Sequence, residues 1–136
     1  MIQKGTNLFV IDNSGASVVE CIHVVRKPKK RSTGPGGVIV VTVKRLKRSI
    51  PKKLVAKSKI CFALVVSSPF HLSRKDGTSI KGGLPTCIIL SKDSRRGVKG
   101  NLPGNTSLAS RFHGPVWSEV RELGFSKIIT LAKGVI

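Results

Sequence analysis

Between Cys21 and Lys75 the chain carries no Asp or Glu, and within that window residues 25–59 hold thirteen Lys or Arg side chains. Cations this close repel one another, and ordering them costs free energy unless a polyanion neutralises them. The segments on either side are apolar and strand-like, so the run reads as part of a folded platform that presents a cationic surface to nucleic-acid phosphate. The length of 136 residues suits one domain with a real hydrophobic core. Hydrophobic residues make up 40% of the chain, mostly Val, Ile and Leu, which excludes a disordered basic tail. A net charge of +19 and a pI near 10.9 point to nucleic acid or an anionic membrane. No apolar run approaches the roughly 20 residues that span a bilayer. The basic segments carry Pro and Gly without an amphipathic helical stripe, which argues against an interfacial helix. RNA or DNA is the expected partner, and no membrane.

Cys21, Cys61 and Cys87 form an odd set at wide spacing, which speaks against a disulfide framework. Each sits in an apolar run and reads as a small buried hydrophobe in a reducing compartment. The opening Met1-Ile2-Gln3-Lys4 shows neither the apolar stretch of a secretory signal nor an Arg- and Ser-rich presequence.

Along the chain, residues 8–11 (LFVI) end at Asp12-Asn13-Ser14-Gly15, a set of turn formers, and residues 18–25 (VVECIHVV) resume strand composition. A basic loop over 26–31 and a flexible one over 32–37 precede residues 38–43 (VIVVTV), apolar on both faces as in a closed barrel or beneath a covering layer. Residues 44–59 form a second basic loop, tied down by Leu46, Ile50 and Leu54-Val55-Ala56, before the strand of residues 60–66 (ICFALVV). Asp76-Gly77 predicts a projecting β-ribbon over 67–80 with Arg74 and Lys75 at its tip. Residues 86–90 (TCIIL) are a fifth strand. The polar stretch 91–110, broken by Gly and Pro, reads as a partner-ordered loop or an insertion. Val116, Val120 and Leu123 fall at helical spacing, with Pro115 suited to the first turn and Gly124 to the stop, and Ser126 suits the cap of a second helix. The expected fold is mainly β: a small closed five-stranded β-barrel over 1–90, the extended loop over 91–110, and two short C-terminal helices capping it over 111–136.

Enzyme motifs are missing. There is no G-x-S-x-G elbow and no H-E-x-x-H pair, and Gly34-Pro35-Gly36-Gly37 lacks the Lys-Ser/Thr of a P-loop, so it reads as a plain connection. With six carboxylates in all, a metal or acid–base cluster would need Asp12, Asp76 or Glu119 to converge, and His23, His71 and His113 lie far apart. No cofactor or metal is implied. The six aromatic side chains are too few for stacking on single strands, and Phe9 and Phe62 read as core. Binding is therefore expected to run through phosphate, sugar and groove shape, as in recognition of folded RNA. If about ten phosphates are neutralised, affinity should fall by roughly three to five orders of magnitude between about 50 and 200 mM salt.

Several stretches resemble the universal large-subunit ribosomal protein 14 family. Met1-Ile2-Gln3 with Thr6 and Leu8, then Asp12-Asn13-Ser14-Gly15-Ala16, is similar to that family's opening, and Cys21-Ile22 and Val24 follow at its spacing. Ala63-Leu64-Val65-Val66, nine residues, then Asp76-Gly77, resembles its signature, as do Arg111, Gly114-Pro115-Val116, Glu119 and residues 125–132. The resemblance implies a five-stranded barrel with a helical cap bound to large-subunit rRNA. It also implies a place at the subunit interface beside large-subunit proteins three and nineteen, bridges to small-subunit rRNA, and docking of a ribosome silencing factor. Ser110-Arg111 resembles the Thr-Arg pair used near that surface. Departures are Gly82 and Pro85 where the family has an aromatic and an Asn, His113 where it has an aromatic, and a longer loop after the fifth strand. Longer loops and added positive charge suit a mitochondrial ribosome and hence the mitochondrial matrix, with a bacterial cytoplasm or a plastid as alternatives.

The leading expectation is a structural, non-enzymatic rRNA-binding component of the large subunit. Its candidate phosphate clamps are Arg26, Lys27, Lys29, Lys30 and Arg31 in the first loop, and Lys44, Arg45, Lys47, Arg48, Lys52 and Lys53 in the second. Arg74 and Lys75 on the ribbon and Arg95 and Arg96 in the late loop complete the set, with Ser110 and Arg111 as a protein-partner or inter-subunit surface. Two alternatives stand beside it. A nuclear DNA- or chromatin-binding protein would use residues 26–31 (RKPKKR) as a localisation patch. An RNA-acting enzyme would depend on Asp12 or His113.

Overall fold

A computed structural model describes residues 1–25, 31–92 and 103–136. In chain order the strands are β1 (Ile2–Gln3), β2 (Asn7–Val10), β3 (Ala16–Val24), β4 (Ser32–Thr33) and β5 (Val38–Leu46). They continue with β6 (Ile60–Ser67), β7 (Leu72–Ser73), β8 (Ser79–Ile80), β9 (Thr86–Lys92) and β10 (Pro103–Ser107), followed by α1 (Glu119–Glu122) and α2 (Ser126–Leu131).

Five of these strands close a barrel, as the sequence predicts. β2 pairs antiparallel with β3, β3 with β5, β5 with β6 and β6 with β9. A short parallel pairing, Phe9 with Thr86 and Val10 with Cys87, joins β2 to β9 and removes the free edges of the sheet. Side chains alternate across each strand, so Leu8, Val10, Val19, Cys21, Val41, Val43, Ala63, Val65, Cys87 and Ile89 fill the interior. Each buried Val, Leu or Ile among them contributes about 1.5–3 kcal/mol of burial free energy.

A second core explains the uninterrupted apolar runs of β6 and β9. Their outward residues Leu64, Val66, Ile88 and Leu90 are covered by Phe112, Val116, Val120, Phe125 and Ile128 of the C-terminal cap, so both faces are dry. β5 differs from its expectation here. Val38 reaches the second core, but Val40 and Thr42 lie half-exposed on the outer wall. Phe62 packs partly against the cap, whereas Phe9 points outward and is 42% exposed, so it is not core. Cys21 and Cys87 are buried and Cys61 half-buried, all three with free thiols.

Pairing alters several boundaries. β5 runs to Leu46, which puts Lys44 and Arg45 on a strand rather than in a loop. Of the apolar residues expected to tie down the second basic segment, Leu46 and Val55 pack on the barrel core, while Leu54 is 44% exposed. Within 91–110, residues 91–92 complete β9, and β10 pairs back on it with Pro103 opposite Lys92 and Ser107 opposite Leu90. Pro and Gly in β10 hide it from pattern reading, and its place is set by neighbours such as the Leu108 N–H bonded to Ile89 O at 2.9 Å.

The cap is less helical than its spacing predicts. Pro115 and Val116 are extended, with Val116 bridged to Val135 and its N–H donated to Gly134 O at 2.9 Å. α1 covers only Glu119–Glu122, with Leu123 and Gly124 forming the turn that follows. Ser126 opens α2 as its first helical residue and makes no capping hydrogen bond. The glycine stretch 34–37 is a packed connection. Gly36 N–H bonds Val65 O at 2.7 Å, and a side chain there would collide with Leu123 Cδ1.

Candidate nucleic-acid interface

The turn at Asp12–Gly15 organises the charged surface. Asp12 and Ser14 are fully buried. The Asp12 carboxylate accepts the Ser14 N–H at 3.0 Å, the Ser14 hydroxyl, and the Ile89 N–H at 2.9 Å, which fastens the turn to β9. Its backbone then holds two segments distant in sequence. Lys47 N–H donates to Gly15 O at 2.7 Å, Lys47 Nζ to Asp12 O at 2.7 Å, and Leu54 N–H to Ser14 O at 2.8 Å. On the other side Asn13 N–H donates to Arg111 O at 3.3 Å, and Arg111 N–H to Asn13 Oδ1 at 3.4 Å. Gly15 has φ +99°, and a Cβ there would lie 2.8 Å from Lys53 Cγ, so glycine alone allows the basic segment to lie on this corner.

Around the corner Arg45, Arg48, Lys52 and Lys53 are exposed. Two other candidates are partly engaged. Lys47 is half-buried on the Asp12 carbonyl, and Lys44 pairs with Glu20 at 2.8 Å in a solvent-exposed contact of small energetic weight. Lys57 and Lys59, which pattern reading left out of the candidate set, are exposed on the same end of β5. There the Ser58 N–H bonds Val43 O at 2.8 Å and Lys59 O accepts the Val43 N–H at 3.1 Å.

The run 25–59 is continuous in sequence but divided in space. Arg31 is exposed beside β4, which pairs with β1 at the Val24 end of β3, whereas Lys44 to Lys53 gather at its Ala16 end. Arg26, Lys27, Lys29, Lys30, Arg95 and Arg96 lie outside the described residues.

The ribbon tip departs from its expected role. β7 and β8 pair as predicted, Leu72 with Ile80 and Ser73 with Ser79, and Lys75 is exposed. Arg74, however, donates to Glu119 at 2.7 and 3.2 Å and to the Ile136 carbonyl at 2.7 Å. Its guanidinium ties the ribbon to α1 and is already engaged. The partner lies 45 residues away, which no local pattern shows. In the ribbon turn Asp76 accepts the Thr78 hydroxyl and N–H at 2.6 and 2.9 Å, and these bonds hold its carboxyl below the usual carboxylate range.

Carboxylates are distributed against this pattern of cations. Among the described residues, Asp76, Glu119 and Glu122 sit at the ribbon–cap end, Glu20 faces Lys44, and Asp12 is sealed inside the corner. The outer surface of the corner is left cationic. His23, His71 and His113 are exposed and do not converge, and both Asp12 carboxylate oxygens are occupied by protein donors. Burial pushes the Cys87 thiol pKa well up, helped by the Asp12 charge, and burial does the same to Cys21, so neither is a ready nucleophile. A groove of about 550 Å³, lined by Ile11, Leu84, Pro115, Trp117 and Ile136, opens beside His113. Its floor accounts for one sequence departure: a Cβ at Gly82 would meet Trp117 Cζ2 at 3.3 Å, so the indole fills space that a side chain at 82 would need.

Ser110 and Arg111 are exposed, presented between the buried Ala109 and Phe112. The Asp12–Phe112 bridge and the 2.6 Å bond from His113 N–H to Ile11 O extend β2 into this segment. The barrel end around this corner exposes Arg45, Arg48, Lys52 and Lys53, and the carboxylate of Asp12 that organises it is buried. A family profile described as Ribosomal protein L14p/L23e matches residues 1–136, the whole length of the chain. The chain therefore belongs to the ribosomal protein L14p/L23e family, structural, generally non-enzymatic proteins that bind rRNA in the large ribosomal subunit.

Proposed function

We propose that this chain packs large-subunit rRNA through the cationic surface around its Asp12–Gly15 corner and lies near the subunit interface, where it contributes to bridges with small-subunit rRNA. The observation that carries the reading is the exposed set Arg45, Arg48, Lys52 and Lys53 on a rigid barrel end. Such cations neutralise the close approach of rRNA helices and release their counterions. Arg31 and Lys75 form separate outlying contacts. Neighbouring large-subunit proteins, of the kinds numbered three and nineteen, and a ribosome silencing factor are the expected protein partners. Added positive charge and the longer segment after β9 favour a mitochondrial ribosome. Family membership supports the ribosomal reading over the nuclear DNA-binding one.

A tagged copy run through sucrose gradients at low and high salt tests this reading. Wild type should co-sediment with the large subunit, and the species of rRNA recovered would identify the compartment. Arg48→Glu/Lys52→Glu/Lys53→Glu should fold but shift toward the top of the gradient. Undiminished incorporation of that triple variant would overturn the assignment of the surface.

A further inference from the structure

We infer that Arg74 and Glu119 are positioning residues: they clasp the β7–β8 ribbon to the cap, so that Lys75 is presented to rRNA from a rigid arm. The inference rests on the reading of Lys75 as an outlying rRNA contact and assigns its neighbour a different task. The ribbon needs such support. It forms a sheet of its own, with Leu72 opposite Ile80 and Ser73 opposite Ser79 as its paired residues. An isolated two-stranded hairpin is marginally stable at best in water. Between it and α1 lies a cleft of about 450 Å³, lined by Leu72, Lys75, Ser118 and Glu122 beside the clasp, rather than a packed apolar seam.

One guanidinium spans that cleft and joins three segments. Arg74 Nε donates to Glu119 Oε1 at 2.7 Å and Nη2 to Oε2 at 3.2 Å, a two-point grip on the first residue of α1. Nη2 also donates to Ile136 O at 2.7 Å, and the same carbonyl accepts the Ser118 N–H at 2.9 Å. The Ile136 N–H in turn donates to Val116 O at 3.0 Å, so residues 116–118, the 134–136 segment and the ribbon meet at one point. Among the described residues these three Arg74 bonds are the hydrogen bonds that join ribbon to cap. Both side chains are largely shielded, at 25% and 19% exposure, which strengthens the pair relative to a surface contact. Lys75 is left exposed one residue on, and no carboxylate pairs with it among the described residues. A cation on a fixed arm loses less ordering entropy on meeting phosphate than one on a loose ribbon.

Amide hydrogen exchange tests the clasp without RNA. Arg74→Gln and Glu119→Gln should each speed exchange over residues 72–80 and 134–136 by about tenfold, and the double variant no further. Arg74→Lys, which keeps the charge but not the fork, should loosen the ribbon nearly as much as Arg74→Gln. Amides of β5 and β6 should stay at wild-type rates and show that the barrel is intact. Wild-type ribbon exchange in either single variant, or single effects that multiply in the double, would overturn the clasp. Binding of a large-subunit rRNA transcript from the source organism then tests the positioning. Glu119→Gln removes a negative charge, which by Coulomb attraction alone should tighten binding to RNA. Through the loosened arm it should instead weaken binding by about two- to tenfold, and it should no longer do so in a Lys75→Gln background. Tighter or unchanged binding by Glu119→Gln, or no effect of Lys75→Gln itself, would overturn the positioning role while leaving the rRNA-binding reading intact. Failure of wild type to bind the transcript would overturn the parent reading.

Discussion

Asp12→Ala isolates what the corner costs to dismantle. The substitution removes the acceptor of the Ser14 N–H at 3.0 Å and of the Ile89 N–H at 2.9 Å, both in fully buried residues, together with that of the Ser14 hydroxyl. A buried donor left without a partner costs about 1–3 kcal/mol. The hydroxyl can rotate toward another acceptor and adds less, and removing a buried charge returns some of its desolvation penalty. The net loss should be about 2–5 kcal/mol, a large share of the ~5–15 kcal/mol typical of a domain. The matched control is Asp76→Ala. Asp76 makes the same pair of bonds, to the N–H and hydroxyl of the residue two positions on, but in an exposed turn where water replaces the lost acceptor. Urea unfolding followed by the fluorescence of Trp117, buried and the chain's one Trp, reads both variants. Asp12→Ala should move the midpoint strongly and Asp76→Ala should leave it near wild type. Equal effects of the two, or an Asp12→Ala loss under about 1 kcal/mol, would refute the argument that burial of these donors holds the corner.

Two further outcomes follow from packing and titration. Gly82→Ala places a Cβ 2.8 Å from Ser68 O and 3.3 Å from Trp117 Cζ2, and should destabilise the protein by about 1–3 kcal/mol in the same urea assay. The thiols of Cys21 and Cys87 have pKa values raised by burial, so the stability they confer is complete below the ordinary thiol value and declines as pH rises past it. Between about pH 8 and 10 the urea midpoint of wild type should therefore fall more steeply than that of Cys87→Ala, since an unfolded thiol ionises near 8.5.

The strands were legible because alternation and β-branching report burial directly. Leu8 and Val10, or Val41 and Val43, announce one inward face, and the unbroken apolar runs of β6 and β9 announce two. β10 was not legible: Pro103 and Gly104 read as breakers, and its strand state comes from hydrogen bonds to β9. α1 is shorter than its spacing predicts because Val116, four residues before the helical Val120, is held in a bridge with Val135 instead of a helical turn.

By itself the sequence determined a mainly β domain, a strongly cationic chain and the family resemblance, because hydrophobic period, net charge and turn residues are properties that survive without knowing which segments touch. Tertiary structure alone decided which cations are exposed and which are engaged. Asp12 is a turn former in the sequence but a buried joint in the fold, and the corner it holds carries the backbone of Lys47, Leu54 and Arg111. Arg74 looked like Lys75's equal until Glu119 was brought against it. Charge is written residue by residue, but whether a charge is free depends on what faces it, and that is set by contacts between segments far apart in the chain.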